Sequence, residues 1–99
     1  VGIYVPYSYD PTVRDNTCVG NDYGIQFYSG TDWGQAMDNI LTDNTNGFSL
    51  FDADHNTVSN NIIVGSSSYG IVASTFSISR LDALSRFNIR FAIIAPTRS

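Results

Sequence analysis

The chain has 99 residues, which is too few for more than one domain. All nine acidic residues are Asp and all five basic residues are Arg, for a formal net charge of -4. Helices of soluble proteins use Glu and Lys heavily, so their absence disfavours a mainly helical domain. The acidic balance disfavours nucleic acid as a partner. The longest purely apolar run, Phe91–Ala95, is far too short to span a membrane.

The chain opens in the first of four similar segments, each of which reads Gly-apolar-x-apolar. Apolar residues that alternate with a period of two indicate β-strands. A glycine that recurs at the same point indicates a tight bend with a crowded or positive-φ backbone. These structural glycines, spaced by 22, 23 and 23 residues, are Gly2, Gly24, Gly47 and Gly70.

A second motif ends in an asparagine and follows each of the first three strands, at Asn16, Asn39 and Asn61. Asparagine amides can hydrogen-bond along a stack and satisfy the backbone of a turn. The spacing therefore predicts an Asn ladder at one corner of a coil. Five residues after these asparagines come Asn21, Asn44 and Ser66.

Two motifs that keep register over three units predict one turn of coil per repeat. No unit has a clean helical period, and the four leucines do not form the ladder of a leucine-rich repeat. The sequence thus predicts an all-β fold, a single-stranded parallel β-helix (solenoid) of about three to four turns with 22–23 residues per turn.

Stacking of the turns predicts three ladders of inward-facing side chains. Their members are Ile3, Ile25, Phe48 and Ile71; Val5, Phe27, Leu50 and Ala73; and Cys18, Leu41 and Ile63. The residues between them, Tyr4, Gln26 and Ser49, are predicted to face outward.

The run Asn-Thr-Val-Ser-Asn-Asn-Ile-Ile at 56–63, followed by Tyr-Gly-Ile-Val at 69–72, is similar to the repeats of right-handed parallel β-helix proteins, the pectin-lyase-like superfamily. The chain most resembles the NosD-type branch, periplasmic accessory proteins that help to load copper into nitrous oxide reductase. This resemblance covers residues 2–75 and implies a right-handed coil and an extracellular, cell-surface or periplasmic location. It leaves the function open, because the superfamily includes lyases, hydrolases, epimerases and adhesins.

The chain begins with Val in a strand-like segment, and we expect it to be a piece of a longer β-helix whose remaining turns pack against it. Residues 76–99 depart from the repeat. Residues 1–75 hold eight Asp and one Arg, a net of -7, whereas residues 76–99 hold four Arg and one Asp, a net of +3. We therefore predict β-helix repeats over 1–75 and an irregular, basic tail over 76–99, which is a cap, a sequence artefact or a basic docking face.

Two local structures fit the tail. One is a short amphipathic helix through Ile78, Leu81, Leu84, Phe87 and Phe91. The other is a strand that alternates at Phe87, Ile89, Phe91 and Ile93.

The variable part of each unit lies between the Gly strand and the Asn corner, at Pro6–Thr12, Tyr28–Gln35 and Phe51–Thr57. In solenoids such segments gather on one face, often the binding face. Asp10, Asp32 and Asp54 are spaced by 22 and 22 residues and are candidates for an acidic column that binds Ca²⁺ through oxygen ligands. The alternative is that they are solvated turn residues.

The same segments carry aromatic side chains. From the superfamily resemblance, a polysaccharide is the candidate partner, and aromatic rings could stack on its sugar rings. The candidate substrate-binding residues are Tyr7, Tyr9, Tyr28, Trp33 and His55.

Signatures of catalysis are mostly missing. The resembled lyases pair Ca²⁺-binding acids with Arg or Lys, and the one Arg within the repeats, Arg14, stands beside the Asn corner. An Arg14 that faces Asp10 or Asp32 across an open groove would favour an enzyme. One His and one Cys far apart in the chain do not make a transition-metal site, so copper binding by this segment is not expected.

Three functional hypotheses remain, and the first is favoured. It is a non-catalytic β-helix scaffold or carbohydrate-binding segment of an exported or surface protein. The second is a fragment of a polysaccharide lyase, hydrolase or epimerase whose catalytic residues lie on missing turns. The third is an accessory module of the NosD type.

Overall fold

The structure, a computed structural model, describes residues 1–74, 80–85 and 91–94. Within these residues the chain is all β and contains no helix, so none is long and apolar enough to cross a membrane. In chain order the strands are β1 (Ile3–Pro6), β2 (Thr12–Arg14), β3 (Thr17–Val19), β4 (Tyr23–Tyr28), β5 (Gln35–Met37), β6 (Ile40–Thr42), β7 (Asn46–Phe51), β8 (Thr57–Val64), β9 (Tyr69–Ser74), β10 (Arg80–Ser85) and β11 (Phe91–Ile94).

Two parallel sheets form the walls of the coil. The first has the order β1-β4-β7-β9-β11, and consecutive strands of this sheet belong to consecutive turns. In the second sheet, β2 and β5 stack on the first half of β8, and β3 and β6 stack on its second half. The predicted parallel β-solenoid is confirmed, with about three turns. The right-handedness of the coil stays a prediction.

The register confirms the inward ladders. In the first sheet Ile3 pairs with Ile25, Ile25 with Phe48, and Phe48 with Ile71. In the second and third turns, the ladder side chains of this sheet, Ile25, Phe27, Phe48 and Leu50, are fully buried. The rings of Phe27 and Phe48 meet edge to face with their centroids 5.2 Å apart. Each such side chain contributes roughly 1.5–3 kcal/mol to stability through burial.

Ser49 occupies the outward register position, but it is only 4% exposed. Its short side chain lies between Gln26 and Val72 of the neighbouring turns. Gln26 Nε2 donates to Ser49 Oγ at 3.5 Å, and these longer neighbours cover the hydroxyl. Tyr4, by contrast, is 51% exposed, as predicted.

The Asn ladder is present and connects three turns. Asn39 Oδ1 accepts from the Asn16 backbone N–H at 3.0 Å, and Asn39 Nδ2 donates to the Val13 carbonyl at 3.1 Å. One turn on, Asn61 Oδ1 accepts from the Asn39 backbone N–H at 2.9 Å, and Asn61 Nδ2 donates to the Ala36 carbonyl at 3.0 Å. Asn39 and Asn61 are completely buried, so these bonds satisfy polar groups that water cannot reach.

A second column begins with Asn21 and Asn44, as their spacing indicates. Asn44 Oδ1 accepts from the Asn21 backbone N–H at 2.8 Å, and Asn44 Nδ2 donates to the Cys18 carbonyl at 3.1 Å. Ser66 takes the third position, but its side chain is shorter. Its buried hydroxyl makes no hydrogen bond to the described residues.

The recurrent glycines are required because the turns approach closely. A Cβ on Gly24 would lie 2.6 Å from the Gly47 carbonyl oxygen, and a Cβ on Gly47 would lie 2.6 Å from the Gly70 carbonyl oxygen. The φ angles of Gly2, Gly24 and Gly47 lie outside the left-handed range. Of the two predicted reasons for these glycines, crowding therefore holds at all three and positive φ at none.

The described parts of the tail continue the stack. Strand β10 pairs in parallel with β8, and β11 pairs in parallel with β9. The register is irregular between Leu81 and Ala83, and Ala83 aligns with Asn61, so the Asn ladder ends at Asn61. The helical alternative does not hold for residues 80–85 or 91–94, which are strands.

Other tail predictions fall on residues 75–79, 86–90 and 95–99. Ile78, Phe87 and Ile89 lie outside the described residues. The division of the chain at residue 75, and the tail as a cap or an artefact, stay predictions.

Candidate functional site

The backbone bends repeatedly through left-handed conformations where the variable segments meet. Asp10, Trp33 and His55 occupy equivalent points, with φ of 57°, 59° and 57°. They stack, because the Asp10 backbone N–H donates to the Asp32 carbonyl at 2.9 Å and the Trp33 backbone N–H donates to the Asp54 carbonyl at 3.1 Å. Asp and His tolerate this φ, whereas a bulky Trp rarely adopts it.

The same spacing of 23 and 22 residues holds for other left-handed positions. These sets are Tyr7, Gly30 and Asp52; Asp15, Asp38 and Asn60; and Gly20, Asp43 and Gly65. Most of their members are Asp, Asn or Gly, the residue types that adopt left-handed φ most readily. The chain's preference for Asp therefore follows in part from the geometry of its bends.

Aromatic and acidic residues occupy neighbouring positions on this surface, which we call the aromatic corner. It comprises Tyr7, Tyr9, Asp10, Asp32, Trp33, Asp54 and His55. Tyr7 is 76% exposed, Tyr9 is 80% exposed and Trp33 is 53% exposed. The Trp33 and His55 rings stack with centroids 4.3 Å apart and planes 12° apart, so His55 covers one face of the indole.

Tyr28, also predicted as a binding residue, has a different setting. It is half-buried and stacks on Phe51 with ring centroids 5.2 Å apart, while Tyr4 lies 5.7 Å away at a tilt. Tyr28 thus belongs to an outer aromatic stack at the end of the first sheet. Phe51 was not among the predicted site residues. Its outward position in the strand that begins near Gly47 was the sequence feature from which it could have been predicted.

The three acids of the predicted calcium column do not all align in one column. Asp32 and Asp54 share a column, and the Asp54 backbone N–H donates to Asp32 Oδ1 at 3.0 Å. Asp32 aligns with Tyr9 rather than with Asp10. The reason is a difference in loop length. Pro6 pairs with Tyr28 and Tyr9 pairs with Asp32, so the second turn has one residue more between these two pairs than the first turn has.

Across the part of the chain that the structure describes, no three His, Cys, Asp or Glu side chains form a group that could hold a metal ion. Calcium binding by Asp10, Asp32 and Asp54 stays a prediction.

Arg14 lies at the Asn corner. Its Nε donates to Asp15 Oδ2 at 3.1 Å, and an Nη lies 3.8 Å from Asp38 Oδ2. These side chains are largely exposed, so each pair contributes at most about 1 kcal/mol. Arg14 therefore pairs with acids of the Asn corner and not with Asp10 or Asp32, the arrangement that would have favoured an enzyme.

The chain has one residue of each type that copper prefers, a single Cys, a single His and a single Met. Cys18 is buried in the core on β3, Met37 is half-buried on β5, and His55 is stacked on Trp33. Burial also raises the pKa of the Cys18 thiol, which disfavours the thiolate that a metal would bind. The residues of the chain do not fit a copper site.

Comparison with known protein families assigns this coil to a family. The family model of the periplasmic copper-binding protein NosD matches residues 1–84. The chain belongs to the NosD family. NosD is a periplasmic family, which is consistent with the predicted periplasmic or extracellular location. No curated protein and no solved structure matches the chain.

Proposed function

We propose that the chain is a non-catalytic segment of a periplasmic accessory protein of the NosD family. In this role the β-solenoid is a rigid scaffold, and the aromatic corner is the surface that it presents to a binding partner. The observation that carries the proposal is the burial of the repeated polar residues. Asn39, Asn44 and Asn61 are at most 1% exposed and are bonded to neighbouring turns.

This use of the asparagines leaves the outer surface as the place where function resides. Polar residues in catalytic sites must reach a substrate, whereas these side chains reach only backbone and each other. The side chains that reach solvent in the variable segments, among them Tyr7, Tyr9 and Trp33, are the ones that a partner can contact. An enzyme whose catalytic residues lie on other turns stays the alternative.

The scaffold role can be separated from copper binding by this chain. We expect that titration with Cu⁺ in competition with a chromogenic chelator shows no tight equimolar site. A Cys18→Ala variant and a His55→Ala variant would then compete for copper no differently from the parent. Tight equimolar binding that either substitution abolishes would contradict the proposal.

A saccharide is a second candidate partner, favoured by the exposed rings of Tyr7 and Tyr9. Aromatic rings offer sugars a flat apolar face, and neighbouring carboxylates accept hydrogen bonds from hydroxyl groups. The chain has a single Trp, and it lies at the corner. A neutral hexasaccharide that changes Trp33 fluorescence would support this candidate.

A further inference from the structure

We infer that the aromatic corner binds arginine side chains of a basic segment in a protein partner. This inference deepens the proposed scaffold role and rests on it. Two observations support it. The surface is acidic, and it exposes aromatic rings near carboxylates.

The charge of the surface selects the partner. The segments Pro6–Thr12, Tyr28–Gln35 and Phe51–Thr57 contain four Asp and no Arg or Lys. The repeats as a whole carry eight Asp and one Arg, and that Arg14 pairs with Asp15 and Asp38 at a different corner. In the first three turns, a surface of this sign repels anionic glycans, phosphates and anionic lipids and attracts cations. In the next turn, Arg80 pairs in register with Thr57.

The aromatic side chains select among cations. His55 stacks on one face of Trp33, yet Trp33 is still 53% exposed, so a ligand can reach part of its ring. A guanidinium group stacks on aromatic faces and also bonds to carboxylates in the plane of its fork, whereas an ammonium group is a hydrated point charge. Tyr9 pairs with Asp32 in a bridge between turns, so an aromatic and an acidic residue occupy neighbouring positions there.

Asp10 and Asp32 are the acids best placed for this contact. Asp10 is exposed, and its carboxylate makes no hydrogen bond or ion pair with the described residues. Asp10 occupies the position in the first turn that Trp33 occupies in the second. A guanidinium that stacks on the exposed part of the indole would therefore lie next to the turn that holds Asp10.

A titration of the 99-residue chain tests this inference, with Trp33 fluorescence as the readout. The probes are an end-capped hexa-arginine peptide, the matching hexa-lysine peptide and a neutral hexasaccharide. We expect the arginine peptide to bind at least about threefold more tightly than the lysine peptide, because a guanidinium group gains stacking energy on the aromatic rings that an ammonium group does not. We also expect its affinity to fall as salt is raised.

Asparagine variants localise the binding without changing the shape of the surface. Asp10→Asn and Asp32→Asn should each weaken arginine-peptide binding about threefold to fivefold. In Asp32→Asn the new amide oxygen can still accept from the Asp54 N–H, so the fold is retained. Asp22→Asn, which removes an equal charge from an exposed turn between β3 and β4, is the matched control and should change the affinity less than about twofold.

Three results would overturn the inference. They are an equal loss of affinity in Asp22→Asn, equal affinity for the lysine and arginine peptides, and a fluorescence response to the hexasaccharide alone. The last result would favour the saccharide candidate. None of them bears on the scaffold role, which the copper titration tests separately.

Discussion

The ladders inside the coil and the aromatic corner outside it differ in how far their residues repeat from turn to turn. Inside, Asn39 and Asn61 repeat the same bonds from turn to turn, and Gly24 and Gly47 meet the same carbonyl contact. At the corner, equivalent positions hold an Asp, a Trp and a His. Positions that face their own copies in the next turn are constrained by stacking, whereas positions that face solvent are free to differ.

The corner also has a conformational cost that the interior lacks. Trp33 and Tyr7 have φ of 59° and 49°, values that Gly or Asn would adopt with less strain. Stability alone would not place bulky aromatic residues at exposed left-handed bends. Their presence there is the pattern expected where a surface is used for binding.

The largest expected effect is on the interior. Asn39→Ala removes the side-chain oxygen that accepts from the Asn16 N–H and the side-chain nitrogen that donates to the Val13 carbonyl. The two backbone groups then lose these hydrogen bonds at a buried position. We expect the free energy of unfolding to fall by about 3 kcal/mol in a urea titration. The control is Asn16→Ala, at the half-buried end of the ladder, which should lose about 1 kcal/mol. A loss of only about 1 kcal/mol in Asn39→Ala would contradict the ladder as a main source of stability.

A pair of glycine substitutions sharpens the contrast between crowding and backbone strain. Gly47→Ala would place its Cβ 2.6 Å from the Gly70 carbonyl oxygen and 2.6 Å from Ile63 Cγ2. Gly20→Ala meets nothing within 4 Å but sits at φ of 73°. We expect losses of about 2–3 kcal/mol for Gly47→Ala and about 1 kcal/mol for Gly20→Ala in thermal unfolding. A reversed order would show that the turns are not packed this closely.

Cys18 reports on the core through its titration. Its pKa in the folded chain is raised by burial above the ordinary value of 9.0. The folded state therefore holds this proton more strongly than the unfolded state, and the resulting stability is complete below pH 9 and is lost as the pH rises through the folded pKa. In the parent chain at about pH 8, a thiol reagent should label Cys18 slowly, and much faster in urea. Rapid labelling without urea would place Cys18 outside the core.

The smallest expected effect is at the corner. Tyr9 is 80% exposed, so Tyr9→Ala should change the free energy of unfolding by less than about 0.5 kcal/mol. The same variant should weaken the binding of the arginine peptide. A loss of stability as large as that of Asn39→Ala would mean that the corner is a structural element.

Much of the fold was predictable because a stack of turns repeats its own constraints. The spacing of Gly24 and Gly47, and of Asn16, Asn39 and Asn61, was enough to establish the register that the strands adopt. The burial of Ser49 was not predictable, because it depends on the length of neighbouring side chains. An interturn contact of Asn56, whose Oδ1 accepts from the Gly34 N–H at 2.7 Å, was also missed, since the first two turns hold Pro11 and Gly34 at this position and no asparagine repeats there.

The candidate site was less predictable, for a physical reason. Asp10, Asp32 and Asp54 were aligned by counting residues, but one extra residue in the second turn puts Asp10 beside Trp33. Loops between stacked strands can change length without disturbing the strands, so counting fails there first. The stacking of Trp33 on His55 depends on side-chain conformation and could not be read from spacing.

The interior ladders determine the fold, and the aromatic corner does not. The most direct test is the free energy of unfolding of a variant in which Tyr7, Tyr9 and Trp33 are all replaced by Asn, a residue that suits left-handed bends. We predict cooperative unfolding within about 1 kcal/mol of the parent, against a loss of about 3 kcal/mol for Asn39→Ala alone. An unfolded triple variant beside a stable Asn39→Ala variant would contradict the claim.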